Sequence, residues 1–234
     1  LGIAAQTECR AELARAMLNR WSSERRAELA RAIPSRDRGR RSQSEASNRR
    51  SQLGFNYLNI TIMLNKKVEE AINAQINAEM WSAYLYLSMS AWCHANGNPG
   101  FGKWFEVQFQ EEQDHAKILF NYVISRAGKV ELKAIDEVPT QWNKLLDVLE
   151  NTLAHEQKVT SLINNLYAIA EEEKDYATAS MLKWFIDEQV EEEETAQGII
   201  DNLKMIKDNG YGLYMLDKEL GARTYSQASP LAGK

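Results

Sequence analysis

Four long helical stretches of this chain carry apolar stripes, and each stripe is interrupted at one level by a carboxylate. In the second stretch, steps of three and four pick out Phe101, Phe105, Gln108, Glu112, His115, Leu119 and Tyr122, so a carboxylate and an imidazole occupy core-facing positions. A carboxylate turned into a core costs several kcal/mol unless it is paired or ligates a cation. One isolated Glu-x-x-His is explained equally well by a single satisfied polar contact. Its recurrence in three other helices is what weakens that explanation.

The first helix is expected over about 65–95, ending at the breaker Asn96-Gly97-Asn98-Pro99-Gly100. The second runs from about 101 to Ala127, with Gly128 as its stop. Residues 129–142 contain Pro139 and no clear period, so they read as a connection. The third, about 143–172, follows Leu146, Leu149, Leu153, Glu156, Thr160, Ile163, Tyr167 and Ala170. After a charged corner at Glu171 to Asp175, read as solvated, the fourth reaches about 208 on Leu182, Phe185, Gln189, Glu192, Ala196, Ile199 and Leu203. Asn209-Gly210 and Gly212 then break the chain ahead of a short amphipathic piece, Tyr214 to Leu220, and a polar tail.

The interruptions share a height. If the first two helices fold back near Asn98, Glu79 lies 19 residues before the fold, and Glu112 and His115 lie 14 and 17 after it. If the next two fold near Glu173, Glu156 lies 17 before, and Gln189 and Glu192 lie 16 and 19 after. At ~1.5 Å per residue all six meet roughly 25 Å from the hairpin ends. Residues three apart on a helix are neighbours, so Glu-x-x-His and Gln-x-x-Glu each offer two groups to one centre. Four carboxylates and one imidazole suit Fe(II), Mn(II) or Zn(II), and two ions ~3.5–4 Å apart could share a bridge, for which Glu112 and Glu192 are placed.

The connection between the second and third helices is long for a simple turn. Extended at ~3.3 Å per residue it could run nearly a helix length and make those helices parallel. An antiparallel fold near residue 135 would align Glu112 with Glu156 as well, so the site levels leave both topologies open.

Composition divides the chain in two. Residues 1–62 hold 12 Arg, no Lys and 6 acids, a net of +6; residues 63–234 hold 2 Arg, 14 Lys and 27 acids, a net of −11. The first part contains the repeat Arg10 to Ala16 and Arg26 to Ala32 and an Arg/Ser-rich tract from Ser35 to Ser51, with almost nothing apolar to bury. It is expected to be largely disordered, and its acids argue against a nucleic-acid-binding tail or a targeting arm. With no initial Met and with Met63 just ahead of the first helix, it reads as an extension translated upstream of the working unit. Asn59-Ile60-Thr61 fits a glycosylation sequon, which carries little weight without a secretory signal.

No apolar run approaches the ~18 residues that span a bilayer, and the 44% hydrophobic content is ample for a core, so a soluble protein is expected. Cys9 and Cys93 form no Cys-x-x-Cys pair and no disulfide framework, which points to a reducing, cytoplasmic compartment and away from structural zinc.

Taken together, Asn77-Ala78-Glu79-Met80-Trp81-Ser82 with Tyr86, Gln110-Glu111-Glu112 with His115-Ala116, His155-Glu156-Gln157, Asp187 to Glu193, and Gly212 to Leu220 resemble the ferritin family, specifically its non-haem bacterial members. Ferritin-like bundles are the established example of inward Glu and Glu-x-x-His ligands. The resemblance covers residues 63 to about 222. It implies an all-α fold, a ferritin-like four-helix bundle with a long crossover between the second and third helices and a short fifth helix. It implies further that Glu79, Glu112 and His115 hold a first iron and Glu112, Glu156 and Glu192 a second, with Gln189 beside it. Glu111, Glu188 and Glu191 resemble a third iron site shared in part with Glu192; without the resemblance they read as a solvated face. Tyr86 matches a tyrosine that supplies an electron during oxygen reduction, and otherwise reads as a core aromatic.

Departures exclude relatives. Gln113 stands where a bacterioferritin has its haem-ligand methionine, and Gln189 with Glu192 stands where that family has Glu-x-x-His, so no haem is expected. A rubrerythrin would need Cys-x-x-Cys pairs. His94 and His155 fall outside the matched positions and are read as structural. The implied function is iron storage and detoxification: Fe(II) is oxidised with oxygen or hydrogen peroxide, and Fe(III) passes to the acidic interior of a 24-subunit shell, with residues 1–62 displayed outside. The alternatives are a di-iron or di-manganese oxidase that stores nothing, and a shell that serves as a display scaffold.

Overall fold

The structure is a computed structural model, and it describes residues 63–231. The Arg-rich segment and the expectations placed on it lie outside the described residues. Five helices follow in order: α1 (Lys66–Ala95), α2 (Pro99–Ser125), α3 (Leu145–Glu172), α4 (Tyr176–Ile206) and α5 (Gly210–Leu220), with no strand among the described residues.

Helix ends are set by local chemistry. Asn65 caps α1 by accepting from the backbone N–H of Lys67 at 2.8 Å. Pro99 opens α2, where its missing N–H costs nothing. That end has no side-chain cap of its own; Asp217 of α5 accepts from Gly100 N at 2.8 Å and Phe101 N at 3.0 Å instead. A Cβ at Gly100 would fall on the Asp217 carbonyl, so α5 can dock there only on glycine.

Several boundaries differ from the sequence expectations. Helix α2 stops at Ser125 and not Ala127, and the residue with positive φ (53°) is Ala127, not Gly128. Gly128 is needed for space, since a Cβ there would come within 2.8 Å of the Glu69 carboxylate. Helix α5 begins at Gly210, not Tyr214: Asn209 accepts from Tyr211 N and Gly212 N, so the residues read as a breaker form a capped first turn. The charged corner is only partly solvated. Asp175 caps α4 through Thr178 N at 3.2 Å and takes a two-pronged contact from Arg126 at 3.1 Å, tying the end of α2 to the start of α4.

The topology left open by the sequence follows from pairings along α1 and α3. Lys67 meets Glu172, Ser82 meets His155 and Met89 meets Thr152, so these helices are antiparallel. Since α2 folds back on α1, α2 and α3 run parallel, and the connection traverses the bundle. It lies along α1, with Lys129 N on Glu69, Glu131 N on the Asn73 side chain and the Pro139 carbonyl on Ser88.

The core has two apolar layers. One is built on Val68, Ile72, Leu119, Val123, Ile163 and Leu182, the other on Leu85, Met89, Phe101, Phe105, Leu149 and Ile200. Between them lies one buried polar level holding Glu79, Glu112, His115, Glu156, Gln189 and Glu192. Among the described residues no helix is long and apolar enough to cross a membrane.

Candidate metal centre

Helix α1 brings Glu79, and α2 brings Glu112 and His115 one turn apart. The three are 1–2% exposed, and each has a ligand atom within 4.8 Å of the others. Trp184 and Phe185 of α4 hold the His115 ring edge-on at centroid distances of 5.5 and 5.9 Å. Gln75, one turn before Glu79, donates to Glu79 Oε1 at 2.9 Å. Glu79 Oε2 and Glu112 Oε2 accept no hydrogen bond at all. The 3.5 Å approach of His115 Nδ1 to Glu112 Oε2 is a charge contact, too long for a good hydrogen bond. Buried carboxylate oxygens without partners, beside an imidazole, form a hard donor set directed at a cation.

The other half of the level is different in kind. Glu156 of α3 accepts from the Tyr86 hydroxyl and, at 3.2 Å, from the Gln189 amide, which also reaches the Glu156 carbonyl at 3.3 Å. Glu192 of α4 accepts from Gln108 Nε2 at 2.8 Å. These carboxylates are oriented by neutral donors from the protein.

Charge crowding shows in the proton affinities. Burial, then the Glu112 charge, pushes Glu79 up to about 8 and Glu192 up to about 7. Burial, then Glu192, raises Glu156 well above its ordinary range. For His115 burial works against the cation, but Glu112, Glu79 and Glu192 outweigh it and raise the ring to about 10. A divalent ion would supply the positive charge that these protons supply in its absence.

The sequence-derived residues therefore separate into groups. Glu79, Glu112 and His115 form one compact cluster; Tyr86 and Gln189 are joined by hydrogen bonds to Glu156, while Glu192, at the same level, is bonded to Gln108. Glu111, Glu188 and Glu191 are outside the cluster: Glu111 is held by Arg223 at 2.7 Å, Glu188 is half-buried and Glu191 is exposed. His155 shares a 2.8 Å contact with Ser82 and packs on Trp81, and burial lowers its proton affinity. His94 meets Glu106 at 3.3 Å near the end of α1. Both histidines keep the structural reading. Sequence reasoning missed Gln75 and Gln108 as partners of the centre, although each lies four residues before a ligand on the same face. It gave no role to Arg223.

Fold and site together define a ferritin-like bundle, the class in which metal-binding carboxylates project inward from four helices. The chain belongs to the ferritin family: the family model described as a ferritin-like domain matches residues 69–206. A bacterial non-heme ferritin of Bacteroides fragilis is 46% identical over 161 residues, covering 69% of this chain and 100% of the relative. A bacterial non-heme ferritin of Staphylococcus aureus is 39% identical over 165 residues, covering 70% and 99%. Among solved structures, an engineered closed form of the Archaeoglobus fulgidus ferritin superposes with a TM-score of 0.69 at 44% identity, covering 70% of this chain and 99% of that one. An open pore ferritin of the same archaeon gives 0.68 at 44% identity, covering 69% and 98%.

Proposed function

We propose that this chain stores iron by oxidising Fe(II) inside its bundle and retaining Fe(III) within a shell of 24 copies. The observation that carries the reading is the Glu79, Glu112 and His115 cluster with its two partnerless oxygens, buried where a core should be. Iron is the substrate here. Glu79, Glu112 and His115 take one Fe(II); Glu112, Glu156 and Glu192 take the second, with Gln189 beside it. Each ion gives one electron. Dioxygen accepts the pair with two protons and leaves as hydrogen peroxide, or hydrogen peroxide accepts it with two protons and leaves as water. Tyr86, which donates to Glu156, lends the second electron when only one Fe(II) occupies the pair, and a later Fe(II) returns it. Glu111, Glu188 and Glu191, with Glu192, form the proposed third site through which Fe(III) leaves.

Self-assembly is supported by apolar side chains left exposed on one chain: Tyr84 and Leu87 on α1, Leu132 and Ile135 on the crossover, and Tyr211, Tyr214 and Met215 on α5. The working unit is residues 63–234, located in the cytoplasm, with no haem. Aerobic addition of Fe(II) to the purified assembly, followed by absorbance and then by weighing the particles, tests the reading. Rapid oxidation with retained mineral, lost or slowed in Glu112→Ala, is expected. Oxidation without retention would make this a non-storing oxidase, and no oxidation would leave only a scaffold.

A further inference from the structure

The tail beyond α5 returns to the metal-binding level. Arg223 lies over the Trp104 ring at 5.1 Å and divides its guanidinium between two acceptors on α2, Gln108 Oε1 and, at 2.7 Å, Glu111 Oε2. Gln108 is fully buried and sends its amide N–H to Glu192 Oε2 at 2.8 Å. Arginine only donates and the ionised carboxylate only accepts, so this one orientation of the Gln108 amide satisfies both neighbours. Further along, Tyr225 and the Ala228 N–H both bond Asp114, so the tail has an anchor independent of Arg223.

We propose that Arg223 is a positioning residue of the metal centre, acting through Gln108 to fix the carboxylate of Glu192 and hence the second metal position. This rests on the two-ion reading above. Without the guanidinium the Gln108 amide keeps Glu192 alone to set its rotation, and the donor on Glu192 Oε2 is held less firmly. The planar fork matters as well as the charge, because a lysine ammonium cannot span Gln108 and Glu111 in the same fixed geometry.

The test uses the full-length, metal-stripped assembly titrated anaerobically with Co(II), whose visible absorption reports binding without any turnover. Wild type should take two ions per chain at the buried level, ahead of any at Glu111, Glu188 and Glu191. In Arg223→Met, and also in Arg223→Lys, the first ion should bind as in wild type and the second about 10-fold more weakly or worse, the scale of losing an outer partner of a ligand. Gln108→Leu should show the same defect, and adding Arg223→Met to it should change nothing further. Tyr225→Phe, which loosens the tail at its other anchor, should bind both ions normally. Unchanged Co(II) binding in both Arg223 variants, additive losses in the double variant, or an equal defect in Tyr225→Phe would overturn the proposal. Failure of wild type to bind two ions per chain would instead remove the two-ion reading on which it stands.

Discussion

The two halves of the buried polar level are built from the same residue types and solve opposite problems. Between α1 and α2, Glu79, Glu112 and His115 converge within 4.8 Å, and two of their carboxylate oxygens have no partner. Toward α3 and α4, Glu156 and Glu192 take hydrogen bonds from Tyr86, Gln189 and Gln108. The first half is short of hydrogen-bond donors, and on the reading proposed above an ion would complete it. The second is already oriented by neutral donors, so an ion there gains less. On the two-ion reading the two positions should fill in order, with Glu112 serving both.

Removing Glu112, proposed to serve both halves, should have the largest effect. Glu112→Ala is expected to slow the initial rate of Fe(II) oxidation by about 100-fold or more in stopped-flow absorbance, since both positions lose a ligand. Glu79→Gln separates the halves: calorimetry with Zn(II) should show the tight event weakened by at least about 10-fold, with the weaker event still present.

Proton linkage sharpens the same contrast. In the metal-free fold Glu79 titrates at about 8 and Glu192 at about 7, above the ordinary value of 4.5. Between those values the unfolded chain has released protons that the folded chain retains, so stability falls as pH rises. His115, raised to about 10, adds to the fall above its ordinary 6.5. Thermal midpoints of metal-free protein should therefore drop between about pH 5 and about pH 8. Zn(II)-loaded protein should lack that drop, because the ion replaces the protons.

Smaller changes should touch one half alone. Tyr86→Phe removes a donor to Glu156 and should weaken only the second binding event, by about 10-fold at most. Asp217→Ala, at the junction of α5 with α2, should lower stability by about 1 kcal/mol in chemical denaturation and leave both binding events unchanged.

How much of this was legible in the sequence follows from how local each feature is. Glu79, Glu112, His115, Glu156 and Glu192 could be found because helical period and distance from a hairpin turn place a residue by counting alone. Gln75 and Gln108 were also reachable by counting, since each is four residues before a ligand. A buried glutamine on a stripe says nothing of which neighbour it serves, so Gln108 was read only as part of its stripe and Gln75 was not singled out. Arg223 was out of reach. It meets Gln108 across 115 residues through a tail with no period. Spacing alone left the parallel arrangement of α2 and α3 open for a related reason, because either topology brings Glu112 level with Glu156; the long crossover came from the family resemblance. Side-chain pairings between α1 and α3, such as Lys67 with Glu172 and Met89 with Thr152, invisible to periodicity, decide it. The glycines around α5 misled because Asn209 turns a breaker into a cap.

The most direct measurement is anomalous diffraction from crystals of the metal-stripped protein given Zn(II) at one and then two ions per chain. The first ion should lie among Glu79, Glu112 and His115, and the second should join it between Glu112, Glu156 and Glu192 only at the higher loading. Zinc found first beside Glu156 and Glu192, or scattered over surface carboxylates with the buried level empty, would contradict that assignment.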